Sequence, residues 1–318
     1  MKRICAPGDT ACKFKGSVVA VGVFDGVHRG HQKVILRAVA EAKRLRLPSV
    51  VVTFDPHPVK VLAPCRDFSY ITTIERRLQL IEALGVDACV VIAFSEAFAA
   101  QDPAEFIQDL LLGQLGVRKI ILGSDFHFGR QRSGTLALLN DFGRMNGFSV
   151  ETIKLLKKNN INIKSTYIKK LVCAADFRQL KSFLGRRYDF LGVIEHGEGR
   201  GRKLGYRTAN FKKENVVILP SGIYFVHARC LDGSVRMCSK TLQGLCYVGH
   251  KPTFKSPDAP VVYELHLLDC DARLYGQRIL MEFLKKERDD RLFLDEKALT
   301  QQIARDVQSA RRFFSRIQ

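Results

Sequence analysis

Apolar and polar positions follow different patterns in the two halves of the 318-residue chain. Up to about residue 153, short fully apolar segments are separated by longer stretches in which apolar residues recur every three or four positions. The first pattern predicts buried strands and the second predicts amphipathic helices. The predicted strands are Ser17–Phe24, Ser49–Phe54, Asp87–Phe94, Val117–Leu122 and Phe148–Ile153. Apolar strands separated by helices predict a parallel sheet that is covered on both faces.

Local signals place the helices of this first half. The helix after the first strand has one apolar face, formed by Val34, Ile35, Ala38, Val39, Ala42 and Leu45. Thr72-Thr73-Ile74-Glu75 has a capping-box pattern, and Asp102-Pro103-Ala104-Glu105 has a proline in its first turn. Both patterns predict a helix N-terminus.

After residue 185 the pattern changes to short β segments divided by turns, which predicts a small antiparallel barrel. The predicted strands are Phe190–His196, Ile223–Cys230, Leu242–Gly249, Val261–Leu268 and Arg278–Leu284. A closing helix is predicted over Asp295–Phe314, and a helix over Ala174–Leu184 joins the halves. Chain length also favours two domains, which we expect over residues 1–184 and 185–318.

The charge of the chain indicates anionic partners. Its formal net charge is +19, and residues 151–213 hold 16 basic and 5 acidic side chains. Nucleotides or nucleic acid would suit this excess, although basic side chains can also serve solubility alone. No block of consecutive basic residues resembles a nucleic-acid arm, and the chain has no tryptophan, so a nucleic-acid partner is not expected.

The cysteine and hydropathy patterns indicate a cytoplasmic protein. The nine cysteines have no C-x-x-C spacing, which favours reduced thiols over a disulfide framework or a zinc site. No apolar stretch approaches membrane-spanning length, and the first 16 residues lack the apolar core of a signal peptide. We expect no membrane partner and a monomer or weak self-association.

The most specific chemical signal is the segment Gly22–His31, which follows the first predicted strand and is called the Gly/His turn below. Its glycines let backbone N–H groups approach an anion, and the next helix offers unpaired amides and a positive dipole end. His28 and His31 can converge and donate to a transferring phosphoryl group. The turn thus indicates a nucleotidyl-transfer site; an ordinary strand-to-helix connection is the structural alternative.

Several motifs in order resemble the bacterial family of bifunctional riboflavin kinases and FMN adenylyltransferases. Besides the Gly/His turn, they are Val51–Pro58, Gly123–Gly129, Ser165-Thr166, Gly199–Asn210, Leu219–Tyr224, Gly249–Phe254 and Tyr263–His266. The resemblance implies a Rossmann-like α/β nucleotidylyltransferase domain followed by an antiparallel riboflavin kinase barrel with a C-terminal helix. It also implies two reactions, in which ATP phosphorylates riboflavin to FMN and a second ATP adenylylates FMN to FAD with release of pyrophosphate.

For adenylyl transfer, the resemblance implies His28 and His31 as the catalytic residues. The nucleotide-binding residues would be Gly22, Phe24, Asp25, Gly30, Asp125, Ser165, Thr166 and Lys169, and the flavin-binding residues Phe54, Pro56, Pro58, Phe126 and Phe128. Asp125 could equally cap its own turn, and a rigid β-turn would explain the two prolines.

One phosphate motif departs from the family pattern Ile-Ser-Ser-Thr-x-Ile-Arg. It reads Ile163-Lys164-Ser165-Thr166-Tyr167-Ile168-Lys169, with a lysine in place of the arginine. A lysine keeps the charge but loses the planar fork that holds phosphate at two points. Adenylylation could therefore be weakened, retuned or intact.

For the kinase reaction, the resemblance implies Glu264 as the base that accepts the hydroxyl proton. Thr208 and Asn210 would be the Mg²⁺ ligands, because they supply hard oxygen atoms. The family has a proline where this chain has Arg207. A glutamate at the barrel rim paired with a basic neighbour is the alternative for Glu264.

Two further sets of residues complete the predicted kinase site. Arg288 matches a flavin-side arginine, although surface solvation would also explain it. A loop that closes over nucleotide phosphates would contain Gly199, Arg202 and Gly205, which a solvated hairpin would contain as well. The implied co-substrate is ATP, the cofactor is Mg²⁺, and riboflavin, FMN and FAD are substrates or products.

Two other functions compete with the bifunctional interpretation. The first is a monofunctional riboflavin kinase whose other domain is weakened by the substitutions at Lys164, Tyr167 and Lys169. The second is a basic nucleic-acid-binding protein, in which RNA binding would be steeply dependent on salt.

Overall fold

The computed structural model describes residues 3–10, 13–64, 68–195, 206, 208–213, 216–231, 241–250, 261–270 and 274–317. The chain divides into two compact units. The first unit consists of Met1–Tyr70 and Ile74–Ser165, and the second of Ile71–Thr73 and Thr166–Gln318. Within the described part of the chain, no helix is both long and apolar enough to cross a membrane.

The first unit is built on a six-stranded sheet in which every neighbouring pair is parallel. Its strands are β1 Arg3–Cys5, β2 Ser17–Val21, β3 Ser49–Asp55, β4 Ala88–Ala93, β5 Val117–Gly123 and β6 Ser149–Ile153. The strand order is β1-β4-β3-β2-β5-β6. Five of these strands confirm the sequence prediction, whereas β1 was not predicted.

Helices cover this sheet. They are α1 Arg29–Leu45, α2 Pro58–Leu62, α3 Ile74–Glu82, α4 Glu96–Ala99, α5 Pro103–Glu105 and α6 Leu136–Asn146, and a π-helix over Phe106–Gln114 extends α5. A 3-10 turn spans Arg130–Arg132, and β7 Lys157–Lys158 pairs with β8 Ile161–Asn162 in a short hairpin. The predicted apolar face of α1 is confirmed, because all its members except the half-buried Leu45 are buried.

Both faces of the sheet are buried, as the strand composition predicts. In β2, Val19 and Val21 pack into one hydrophobic cluster, while Val18 and Ala20 pack into a second cluster that includes α1. The chain leaves β2 for β3 on one side, and β5 lies on the other side. In open parallel sheets, such a reversal of strand order opens a crevice at the carboxyl ends, where ligands bind.

The second unit is a closed antiparallel barrel. Its strands are β9 Tyr188–Glu195, β10 Ala209–Lys213, β11 Gly222–Cys230, β12 Leu242–His250, β13 Val261–Leu267 and β14 Arg278–Asp289. They follow the order β10-β13-β12-β11-β14-β9, and β9 pairs with β10 to close the barrel. The predicted barrel is confirmed, with β10 as a strand that was not predicted.

Helices precede and follow the barrel strands. The C-terminal helix α9, Glu296–Ser315, confirms the predicted closing helix, and its Ala310 and Phe314 pack on Phe225 of β11. The helix predicted over Ala174–Leu184 is confirmed as α8, Phe177–Leu184, which begins three residues later than predicted. A break separates it from α7, Ser165–Cys173, which was not predicted. The break has a local cause, since Ala175 has a φ of 51° and Asp176 caps α8.

Candidate functional site

The Gly/His turn occupies the carboxyl end of β2, beside the crevice where strand order reverses. Its backbone is strained, because Phe24 and Val27 have φ values of 53° and 38°, a region that side chains with a Cβ rarely adopt. A Cβ at Gly22 would lie 2.9 Å from the ring of Phe24. The glycine is therefore needed for the ring of Phe24 to fold back over the turn.

The two histidines stack on each other at the start of α1. Their ring centroids are 3.5 Å apart at an interplanar angle of 19°. His28 caps the helix, because its Nδ1 accepts a hydrogen bond of 3.2 Å from the backbone N–H of His31. When His28 is neutral, its proton is therefore on Nε2, which leaves that nitrogen as a donor.

His31 is an uncharged imidazole at neutral pH. Its Nδ1 is buried and has no hydrogen-bond partner among the described residues, and its ring meets the edge of Phe24 at 5.3 Å between centroids. Burial, together with the nearby charges of His28 and Arg77, holds the pKa of His31 well below its ordinary value. The ring can act as a neutral hydrogen-bond donor rather than as a cation.

The second phosphate motif contacts the Gly/His turn. Ser165 Oγ donates to the backbone carbonyl of Asp25 at 3.3 Å, and Asp25 itself is buried. The carbonyl oxygen of Ile163 lies 3.4 Å from the position that a Cβ on Gly30 would occupy. Two motifs separated by more than 130 residues in sequence therefore meet at one end of the sheet.

The loop after β5 joins the same group of residues. The carboxylate of Asp125 lies 3.7 Å from Nζ of Lys164, which immediately precedes Ser165. Thr166 is exposed, and Lys169 is half-buried one turn after Ser165 on the same side of α7. Ser165 and Lys169, one helical turn apart, thus place a hydroxyl and a cation on one side of α7.

The predicted flavin-side phenylalanines belong to one aromatic cluster. Neighbouring ring centroids along the series Phe54, Phe94, Phe98, Phe106, Phe128 and Phe126 are 5.4–6.2 Å apart. Phe54 is 7% exposed, whereas Phe126 and Phe128 are half-buried and stack on each other. Contact of any of these rings with a flavin stays a prediction.

The two prolines of the next loop lie at the start of α2. Pro56 is half-buried, and Pro58 is the first residue of the helix. His57 lies between them and caps the helix, because its Nδ1 accepts from the N–H of Val59 at 3.1 Å. The hydroxyl of Tyr70 in turn accepts from the N–H of His57. These contacts fix the loop, and its predicted contact with flavin stays a prediction.

In the barrel, strand register places three of the predicted kinase residues, Asn210, Glu264 and Arg288, in one row. Asn210 is opposite Glu264, Glu264 is opposite Tyr247, Tyr247 is opposite Ile223, and Ile223 is opposite Arg288. The Cβ atoms of directly opposed residues in antiparallel strands are about 4.5–5.5 Å apart. Asn210 and Glu264 are thus immediate neighbours.

The row lies on the outer face of the barrel. In β13, Tyr263 and Leu265 are buried inside, while Glu264 and His266 are partly exposed on the other face. Glu264 and His266 thus share one face of β13, as the two-residue period of a strand requires. Thr208, which is half-buried, precedes β10 by one residue.

Arg288 is held in a buried ion pair. Its Nε and Nη2 donate to the carboxylate of Asp306 in α9 at 2.8–3.1 Å, and Nη1 donates to the carbonyl of Asp289 at 3.0 Å. Its side chain is 19% exposed, so solvation does not explain it. The ion pair attaches β14 to α9, and contact with flavin stays a prediction.

Some predicted residues lie outside the described part of the chain. These are Gly199, Arg202 and Gly205 of the predicted phosphate loop, and also Arg207.

Sequence reasoning missed two polar residues at these sites. Arg77 of α3 is completely buried beside the Gly/His turn, and Tyr247 lies opposite Glu264 and donates to Asp290 at 2.9 Å. No sequence pattern distinguishes Arg77 from an ordinary arginine of an amphipathic helix. Tyr247 could be identified as the neighbour of Glu264 only from the register of β12 against β13.

Family models match both halves of the chain. The model described as FAD synthetase matches residues 11–167, and the model described as riboflavin kinase matches residues 184–314. A crystal structure described as a macrolide-efflux protein from Streptococcus pneumoniae has a TM-score of 0.83 and 24% identity. It covers 97% of this chain and 98% of its own, and this likeness shows a shared fold.

Curated relatives span nearly the whole chain. The bifunctional riboflavin kinase/FMN adenylyltransferase of Bacillus subtilis is 37% identical over 95% of this chain and 93% of its own. The protein of the same description from Buchnera aphidicola of Schizaphis graminum is 33% identical over 95% of both chains. The chain therefore belongs to the family of bifunctional riboflavin kinases/FMN adenylyltransferases.

Proposed function

We propose that this chain converts riboflavin to FMN and then FMN to FAD, using one ATP for each reaction. The observation that carries the proposal is that each unit brings together some of the residues predicted to contact phosphate groups. The first unit has the stacked His28 and His31 beside Ser165, and the second has Asn210 opposite Glu264. A monofunctional kinase is not favoured, because the FAD synthetase model also matches the first half.

In the adenylyl-transfer site, an oxygen of the FMN phosphate attacks the α-phosphorus of ATP in line, and pyrophosphate leaves. No covalent enzyme intermediate is needed, so the residues have to align and neutralise phosphate groups. Nε2 of His28 and the neutral ring of His31 would donate to the transferring group. The amides at the start of α1 and the cations of the second motif would hold the remaining phosphates.

In the kinase site, the terminal hydroxyl of riboflavin attacks the γ-phosphorus of ATP, and ADP leaves. Glu264 would accept the hydroxyl proton as the new P–O bond forms. The Thr208 hydroxyl and the Asn210 amide oxygen fit Mg²⁺, which prefers oxygen ligands and takes few of them from the protein. When bound, Mg²⁺ would neutralise charge on the phosphate oxygens.

Lys169 would serve in place of the arginine usual in this motif. It lies one turn from Ser165, and Lys164 adds a second cation on the same segment. Each lysine carries the same single positive charge as an arginine but lacks its planar fork. We therefore propose that adenylylation is retained.

We further propose a cytoplasmic protein that acts as a monomer or a weakly associating chain, with residues 1–184 and 185–318 as its domains. All five cysteines whose side chains are described are free thiols, as expected in a reducing compartment. The basic surface would attract ATP and flavin phosphates rather than nucleic acid.

Product analysis tests the proposed function. Purified protein is incubated with ATP and Mg²⁺, once with riboflavin and once with FMN, and the flavins are separated by chromatography. We expect FMN followed by FAD from riboflavin, and FAD from FMN. Accumulation of FMN without FAD in both incubations would leave only the kinase, and no turnover together with salt-dependent RNA binding would favour the nucleic-acid alternative.

A further inference from the structure

Arg77 is a buried cation that the two proposed reactions leave unexplained. It is 0% exposed and is among the largest fully buried side chains of the molecule. Burial of a guanidinium without a partner charge is unfavourable by several kcal/mol or more. Its position in the first unit therefore needs a physical reason.

The guanidinium joins the carboxyl ends of two neighbouring strands. Its Nη1 donates to the carbonyl of Phe54 in β3 at 2.9 Å and to the carbonyl of Val23, just after β2, at 3.2 Å. Thr53 Oγ1 donates to the same Val23 carbonyl at 2.8 Å. Val23 immediately precedes the strained Phe24, whose ring meets His31. The side chain of Arg77 thus contacts the Gly/His turn through the backbone carbonyl of Val23.

The charge of Arg77 is not neutralised within the described residues. Its Nε and Nη2 are buried there without a hydrogen-bond partner, and none of those residues supplies a carboxylate to it. The ring of Tyr70 lies 5.8 Å from its guanidinium carbon, which is a weak contact by comparison. A negative charge close to the turn would therefore be favoured.

We propose that Arg77 is a positioning residue of the adenylyl-transfer site, which clamps the Gly/His turn to β3 and places a permanent positive charge beside His31. The proposal rests on the proposed function of this turn. It names as the favoured ligand the phosphate groups of a nucleoside triphosphate, because their charge would compensate the buried cation.

The electrostatics of His31 agree with this role. The charged or titratable groups that act on His31 are His28 in its own helix and Arg77 from α3, and Phe24 covers the ring with an apolar surface. Burial is the largest cause of its low pKa, and His28 and Arg77 lower the pKa further. A neutral His31 can donate to phosphate without taking a proton from solvent.

The test compares Arg77→Gln, which removes the charge but keeps a donor, with Arg77→Lys, which keeps the charge. Arg76→Gln is the matched control, because Arg76 lies on the same helix and donates to Gln79 of that helix. For each protein, FAD formation from FMN, FMN formation from riboflavin, and the NMR titration of the His31 ring are measured.

We expect Arg77→Gln to lower kcat/KM for FAD formation at least about tenfold. The pKa of His31 should rise in this variant, yet stay below its ordinary value of about 6.5 because burial persists. Arg77→Lys and Arg76→Gln should keep the low pKa and most of the activity. FMN formation should be unchanged throughout, because the proposed kinase residues lie in the other unit.

Two results would overturn the inference. One is an Arg77→Gln protein with unchanged FAD formation and unchanged His31 titration. The other is an unsubstituted protein in which His31 titrates at its ordinary value, a measurement that does not depend on how any variant folds. Absence of FAD formation by the unsubstituted protein would instead overturn the proposed function. The NMR titration of His31 would still test whether Arg77 lowers the pKa of His31.

Discussion

At the scale of single residues, the candidate sites depend on small side chains that let larger ones approach. A Cβ on Gly30 would lie 3.1 Å from Cε1 and 3.2 Å from Nδ1 of His28. Gly30 therefore lets His28 bend over the first turn of α1 and accept from the N–H of His31.

Gly30→Ala should separate activity from stability. The added methyl would push His28 away from His31, and we expect FAD formation to fall about tenfold. Alanine favours a helix by about 0.5–1 kcal/mol over glycine, which offsets the crowding, so the melting temperature should change little. Flavin chromatography and thermal unfolding measure the two effects. Full FAD formation would show that the position of His28 is unimportant.

Glu264→Gln should lower FMN formation at least about 100-fold, because an amide cannot accept the hydroxyl proton. FAD formation from supplied FMN should not change. Glu195 is a matched control, since it is also opposite Asn210 but is paired with Lys212 at 2.9 Å. If Glu195→Gln is the variant that loses kinase activity, the base has been assigned to the wrong strand.

At the scale of elements, hydrophobic periodicity predicts most of the fold. The predicted strands of the parallel sheet and of the barrel agree with the structure to within three residues at each end, except that β14 runs to Asp289, five residues beyond its predicted end. Strand β10 has one large apolar residue, Phe211, which is buried, so pairing with β9 and β13 defines the strand rather than its own pattern. The break between α7 and α8 depends on the positive φ of Ala175.

The candidate sites were predictable only where chemistry is concentrated in a short segment. The Gly/His turn carries its glycines and histidines within ten residues, between a predicted strand and a predicted helix, and together these features indicate a phosphate site. Arg77 could not be identified in this way, because its role depends on the approach of α3 to the ends of two strands. Long-range packing decides such contacts.

The attachment of α9 to the barrel gives a prediction about stability. Asp306 is 5% exposed and pairs with Arg288, and Gln302 also donates to it. Asp306→Ala should destabilise the second unit by about 3 kcal/mol, because it leaves a buried arginine unpaired. Asp269→Ala removes an exposed ion pair of the same helix with Arg311 and should have a much smaller effect. Denaturant titrations compare the two, and equal losses would contradict the difference in burial.

An ion-pair cluster across α1, β5 and β6 predicts the acid response of the first unit. A hydrogen bond from Arg37 and the charge of Lys119 lower the pKa of Glu151 to about 2, against 4.5 for an unperturbed glutamate. The stabilisation is fully present above pH 4.5 and is lost as pH falls towards about 2. The Glu151→Gln protein should have a lower melting temperature than the unsubstituted protein at pH 6, and its melting temperature should change less between pH 4.5 and about 2. If the melting temperatures of the two proteins fall in parallel with pH, Glu151 does not contribute to the acid response.

At the scale of the whole molecule, the two proposed sites use different parts of the chain and share only diffusible substrates. The excess of basic residues gives both units a favourable potential for ATP and flavin phosphates, and salt should weaken this attraction. Loss of one site should therefore leave the other active.

Mixing two inactivated proteins tests this separation most directly. His31→Ala should stop at FMN when given riboflavin, ATP and Mg²⁺, and Glu264→Ala should leave riboflavin unchanged but convert added FMN to FAD. An equal mixture of both variants should make FAD from riboflavin, because FMN released by one protein is used by the other. A mixture that accumulates FMN without FAD, or single variants that lose both reactions, would contradict two independent sites on one chain.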